Sequence, residues 1–109
     1  FDAVPDALAY FTNLHLPANG FAGAAAPTLT GKPEWIAHFR ACAGERFPRQ
    51  GTYRFDYGDG HFLCLDSNLY VDPTDPALQR WIEDDLRASD APWKFVVFHH
   101  PSFNVGDHH

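Results

Sequence analysis

The chain contains 109 residues, of which 45% are hydrophobic and 16% aromatic; this composition suits one small folded domain and excludes intrinsic disorder. Eight Lys and Arg residues against fourteen Asp and Glu residues give a net charge of −6, which argues against nucleic acid as a partner through a basic face. The sequence has no apolar run of about 18 residues, so no membrane span is predicted, and its first residues lack the pattern of a secretory signal peptide. Because the chain opens on Phe1 and contains no Met, we expect a processed or cropped piece of a longer protein.

The first half of the sequence predicts two short helices and a long loop. Residues 4–15 place apolar side chains at helical spacing, and residues 34–43 do so again. Between them, residues 17–33 are rich in Pro, Gly and Ala and predict a loop. Residues 48–51 predict a further connection rather than a regular element.

From residue 52 the hydrophobic period changes to that of strands. Residues 52–57 alternate between apolar and polar side chains, and residues 61–66 form an extended apolar run. The Gly-Asp-Gly turn signal between them predicts a β-hairpin. The second strand is apolar on both faces in its middle, so we expect it to be internal to a sheet.

A helix and a further strand are predicted beyond the hairpin. Asp75 is a predicted N-cap with Pro76 at the first helical position, and the helix is expected to end near Ser89. Residues 95–98 form a continuous apolar run, which predicts a strand buried on both faces. Strand, helix and strand at this spacing predict a βαβ unit, and therefore an α/β fold.

Two cysteines leave the redox compartment open. Cys42 falls in a predicted helix and Cys64 in a predicted strand. These positions favour two buried thiols over a disulfide.

Histidines are concentrated near the end of the chain. Of seven, four fall in the last eleven residues: His99, His100, His108 and His109. The first two follow the last predicted strand, where α/β proteins gather their reactive groups. Imidazole binds zinc or iron when neutral, and holds phosphate or donates a proton when charged. Other interpretations stay open: solvated loop residues, a hydrogen-bonded core pair at the strand end, or the stub of a purification tag at the terminus.

Three segments of the second half occur in a specific order. They are YRFDYGDGHFLCLDS at 53–67, LQRWIEDDL at 78–86 and APWKFVVFHHPSFN at 91–104, followed by the His108-His109 pair. In this order, residues 52–109 resemble the calcineurin-like metallophosphoesterases, especially their purple acid phosphatase branch.

The resemblance implies an α/β domain built as a two-sheet β-sandwich flanked by helices, of which this chain supplies a part. Residues 1–51 would be a helical and loop insertion of the catalytic domain, and residues 52–109 would contribute its hairpin, helix and strand. The activity implied is hydrolysis of a small phosphate ester at a centre of two metal ions (Fe, Zn or Mn).

The resemblance also implies roles for single residues. His99 matches the family's metal-ligating histidine at a strand end. His108 and His109 match the pair that binds the substrate phosphate, with His109 as the proton donor to the leaving group. His100 is not a ligand in the pattern, so we expect it either to support a metal ligand from behind or to face the substrate. Asp66 is either a carboxylate ligand or, as we favour, a structural residue at a strand end.

The other ligand segments of the family are absent from this chain. They are an Asp-x-His, a Gly-Asp, a Gly-Asn-His-Asp/Glu and a Gly-His-x-His segment. We therefore expect an internal stretch of a larger catalytic domain, whose remainder supplies the missing ligands, and no activity from this piece alone. Two alternatives stay open: a catalytically inactive module without a stable metal, and a simple metal-binding histidine cluster without phosphatase ancestry.

Overall fold

The computed structural model of the chain describes Tyr10 and residues 13–21, 29–43, 46–68 and 71–101. These residues contain three helices and three strands, in the order α1 (Pro33–Ala43), α2 (Arg46–Gly51), β1 (Tyr53–Tyr57), β2 (Gly60–Cys64), α3 (Pro76–Ala88) and β3 (Trp93–Val97). None of the described helices is long and apolar enough to cross a lipid bilayer.

The three strands form one mixed sheet in the order β1-β2-β3. The hairpin pairs β1 with β2 antiparallel through a two-residue turn, in which Gly58 adopts a φ of 57° that favours glycine. Strand β3 returns parallel to β2 after α3. The predicted hairpin, the central position of its second strand and the βαβ unit are all confirmed, and the chain is an α/β protein.

Helix α3 begins and ends where its capping residues predict. The Asp75 side chain accepts a hydrogen bond from the Ala77 backbone N–H at 2.8 Å, and Pro76 occupies the first helical turn, where no N–H is needed. At the other end Ser89 leaves the helical conformation. Local capping chemistry therefore fixes both ends of this helix.

The connection predicted at residues 48–51 is wrong, because helix α2 covers this stretch. Phe47, on the first turn of α2, is 4% exposed and packs edge-to-face on Phe39 of α1, with ring centroids 4.7 Å apart. Burial of this ring stabilises the short helix, and the proline that follows lies in the first turn, where no backbone N–H is needed. The helix predicted at 34–43 is confirmed as α1, whereas most of the one predicted at 4–15 lies outside the described residues.

The hydrophobic core lies between the helices and the loops that precede and follow them. It includes the buried side chains of Phe21, Leu29, Phe39, Ala43, Phe47, Val71 and Leu78. Residues from both predicted parts of the chain, 1–51 and 52–109, thus meet in one core. The assignment of the first part as an insertion stays a prediction. Cys42 and Cys64 are both free thiols, as predicted, and each is half-buried.

The sheet has one covered and one open face. Helix α3 lies over the face that carries Arg54, His61 and the fully buried Leu63. The register places nine residues on the opposite face, namely Tyr53, Phe55, Tyr57, Gly60, Phe62, Cys64, Trp93, Phe95 and Val97. Three of these rings form a ladder across the strands, with Phe62 stacked at 4.8 Å from both Phe55 and Phe95.

Full burial of the last strand is a wrong prediction. All five residues of β3 are exposed, and Val97 keeps 49% of its surface. The strand also begins at Trp93, two residues before the apolar run. Within the described part of the chain β3 is an edge strand, so its apolar side chains have a neighbour on one side only.

Candidate functional site

The site lies at the edge of the sheet where the parallel strands β2 and β3 both end. Past the end of β2, the Leu65 backbone N–H still donates to the Val97 carbonyl at 2.9 Å, which keeps the two segments side by side. Asp66 and Ser67 therefore emerge next to His99 and His100. This carboxyl edge is where open α/β sheets place their ligands.

Ser67 joins the two segments through its hydroxyl. Its Oγ accepts hydrogen bonds from the backbone N–H of His99 at 3.2 Å and of His100 at 3.1 Å, and lies 3.1 Å from Nδ1 of the His100 ring. The two imidazole rings meet edge-to-face, with centroids 4.8 Å apart. Both histidines are exposed, so their rings are accessible to a ligand.

Asp66 is engaged in local structure. Its backbone N–H donates to the hydroxyl of the buried Thr52 at 3.1 Å. Its carboxylate accepts from the backbone N–H and the side-chain amide of Asn68, at 3.1 and 2.7 Å. These contacts form an Asx turn that shapes the segment after β2.

Two cavities flank this edge, one on each face of the sheet. The cavity on the open face measures about 460 Å³ and is lined by Tyr10, Tyr53, Cys64 and His99 among others. The cavity on the side of α3 measures about 510 Å³ and includes His100 in its lining. The adjacent histidines thus contribute to different cavities.

The structure brings together half of the predicted histidine cluster. His99 and His100 are adjacent to each other and to Ser67, whereas His108 and His109 lie outside the described residues. Among the residues that are described, no group of three or more His, Cys, Asp or Glu side chains is arranged to hold a metal ion. The described donors therefore do not make up a metal centre by themselves.

The surroundings of Tyr53 alter the titration of its phenol. Burial raises its pKa to about 12, helped by a hydrogen bond with the Cys64 side chain. Burial also raises the pKa of Tyr10, which lines the same cavity, and the nearby Asp66 carboxylate adds to this. Both phenols therefore stay neutral hydrogen-bonding groups at physiological pH.

We expect the free energy of unfolding to fall between pH 10 and 12 through Tyr53. The folded state holds the phenol proton more tightly than the unfolded chain, so this contribution is complete below pH 10 and is lost as the pH rises through about 12. Urea unfolding at pH 9 and pH 11 should show a smaller alkaline loss in Tyr53→Phe than in the wild type. Tyr57→Phe, at a position that is 80% exposed, should keep the wild-type loss; equal changes in both variants would contradict the assignment.

A second polar cluster, which the sequence analysis missed, joins the hairpin to α3. His61 Nδ1 lies 2.7 Å from a carboxylate oxygen of Asp56, and Nε2 lies 2.8 Å from one of Asp85. The other oxygen of Asp85 accepts from the Arg54 guanidinium. The side chains of His61 and Asp85 are 5% and 2% exposed.

This cluster places basic and acidic side chains around a buried centre. His61 lies between the carboxylates of Asp56 and Asp85, and Asp85 also pairs with the Arg54 guanidinium. The sequence held one signal: Asp85 lies seven residues after Leu78, on the apolar stripe of α3, where a charged side chain requires a partner.

Comparison of the chain with protein-family models, with curated proteins and with solved structures found no match.

Proposed function

We propose that this chain is part of the catalytic domain of a metal-dependent phosphoric ester hydrolase of the metallophosphoesterase type. One observation carries the proposal: His99 and His100 follow β3 at the carboxyl edge of a parallel strand pair, beside two cavities. A ligand bound at this edge would meet exposed imidazole rings on a segment fixed by backbone hydrogen bonds. The ordered sequence motifs supply the chemistry proposed for those rings.

The open face of the sheet supports a domain larger than this chain. All-parallel sheets are almost always covered on both faces, and the β2-β3 pair of this mixed sheet is parallel. Here Trp93 and Phe95 keep 66% and 44% of their surface exposed on the face opposite α3. We propose that a second sheet covers this face in the full-length protein, which would complete a two-sheet β-sandwich.

The residues have separate proposed roles. His99 would donate its imidazole to one metal ion of a pair (Fe, Zn or Mn), with the other ligands contributed by the remainder of the domain. When bound, such metals stabilise the charge of the phosphoryl oxygens as Lewis acids. His100 and His108 would hydrogen-bond the phosphate group, and His109 would donate a proton to the ester oxygen that leaves.

Metal analysis together with hydrolysis of a chromogenic phosphate ester tests this proposal. We expect the full-length protein to bind two metal ions and to hydrolyse the ester, and the 109-residue chain alone to do neither. If the 109-residue chain alone bound stoichiometric metal and hydrolysed the ester, the proposal that it is only part of the catalytic domain would be contradicted. Metal bound by the full-length protein without turnover would favour the simple histidine-cluster module, and neither metal nor turnover would favour the catalytically inactive one.

A further inference from the structure

The hydroxyl of Ser67 has three close polar neighbours. They are the backbone N–H groups of His99 and His100, at 3.2 and 3.1 Å, and Nδ1 of the His100 ring, at 3.1 Å. A serine hydroxyl offers two lone pairs and one hydrogen. The two backbone N–H groups occupy both lone pairs, so the hydroxyl hydrogen is directed to Nδ1.

This arrangement determines the tautomer of His100. Because Nδ1 accepts a hydrogen bond from Ser67, the proton of the neutral ring is on Nε2. Among the described residues, no hydrogen-bond partner is found for Nε2, and the ring is exposed at the cavity beside α3. The ring therefore offers one N–H donor to a ligand.

The same arrangement argues against Ser67 as a nucleophile. A serine within hydrogen-bond distance of a histidine is the usual sign of nucleophilic catalysis. A nucleophilic oxygen needs a free lone pair, however, and here both are used by the backbone of the neighbouring segment. Ser67 acts through His100.

We propose that Ser67 is a positioning residue, which fixes the His99-His100 backbone and holds His100 in the Nε2–H tautomer so that it donates to an oxygen of a bound phosphate group. The identity of the ligand rests on the proposed function, whereas the tautomer does not. A phosphate oxygen suits this site because it accepts hydrogen bonds only, and the ring presents a donor with no alternative partner in the described part of the chain.

Nitrogen-15 NMR of the imidazole groups tests the positioning role without any activity assay. In the 109-residue chain at alkaline pH, we expect His100 to carry its proton on Nε2, and His100→Gln to identify its signals. Ser67→Ala should give a mixture of tautomers, and Ser67→Thr, which retains the hydroxyl, should restore the single tautomer. A proton on Nδ1 in the wild type, or an unchanged tautomer in Ser67→Ala, would overturn the proposal. Backbone spectra of each variant verify that it is folded.

Titration of the full-length protein with inorganic phosphate tests the ligand. We expect Ser67→Ala to weaken phosphate binding about tenfold and Ser67→Thr to stay close to the wild type. If the tautomer shifts but phosphate affinity does not, phosphate recognition by His100 is overturned. If the wild type binds no phosphate, the proposed function and this ligand fail together, and the NMR result still decides the positioning role.

Discussion

Replacing Asp85 with Ala is expected to lower the free energy of unfolding by about 1–3 kcal/mol, the cost of leaving a buried hydrogen-bonding group without its partner. The carboxylate is 2% exposed and accepts from both His61 and Arg54. Its removal leaves the buried Nε2 of His61 and the Arg54 guanidinium without this partner. The hydrogen bonds that Asp85 accepts also hold α3 against the hairpin, so the substitution weakens the attachment of the helix to the sheet.

Urea unfolding of matched variants measures this effect. Asp84→Ala changes the adjacent, exposed residue of the same helix, and we expect it to stay within about 0.5 kcal/mol of the wild type. Asp85→Asn keeps the shape of the side chain but not its charge, so its free energy of unfolding should lie between those of Asp84→Ala and Asp85→Ala. If Asp84→Ala and Asp85→Ala lost equal stability, the cluster would not be what joins α3 to the sheet.

On the proposed function, replacing His99 with Ala is expected to lower kcat/KM of the full-length protein by more than about 100-fold. Loss of a residue that only orients a metal ligand already costs about 10–100-fold, and loss of the ligand itself should cost more. Because His99 is exposed and outside the hydrophobic core, the substitution should leave the unfolding midpoint nearly unchanged. Activity and metal content should therefore fall without loss of fold.

The control for this experiment is another exposed histidine. His38 lies on α1 and lines neither of the two cavities, and His38→Ala should keep both activity and metal content. If His99→Ala kept full activity and an unchanged metal content, the His99 ring would not be a metal ligand. Loss of activity with full metal content would instead indicate a role in substrate binding.

Local sequence patterns predicted the elements of the second half and their pairing. The turn at Gly58, the cap at Asp75 and the stop near Ser89 are each decided by chemistry within a few residues, and all three are confirmed. The same patterns predicted that His99 and His100 follow the end of a strand, and in the structure they follow β3. Prediction succeeded here because neighbouring residues contain the information.

Contacts between distant residues were not predictable in this way. The cluster at Asp85 joins side chains 24 and 31 residues apart, and nothing local to His61 or Arg54 indicates a buried partner. The contact of Ser67 with His100 spans 33 residues in the same manner. Such contacts depend on strand register and helix placement, which only the assembled sheet provides.

The sequence by itself determined where the helix after the hairpin begins and ends, which strand is central, and that two imidazoles follow the last strand. Only the tertiary structure decided that residues 46–51 form helix α2, whose Phe47 packs on Phe39, and that β3 lies exposed at an edge. It also decided that the Ser67 hydroxyl accepts a hydrogen bond from the backbone of the histidine pair. The reason is physical: capping and turn formation depend on adjacent residues, whereas burial and hydrogen bonding across strands depend on groups that folding alone brings together.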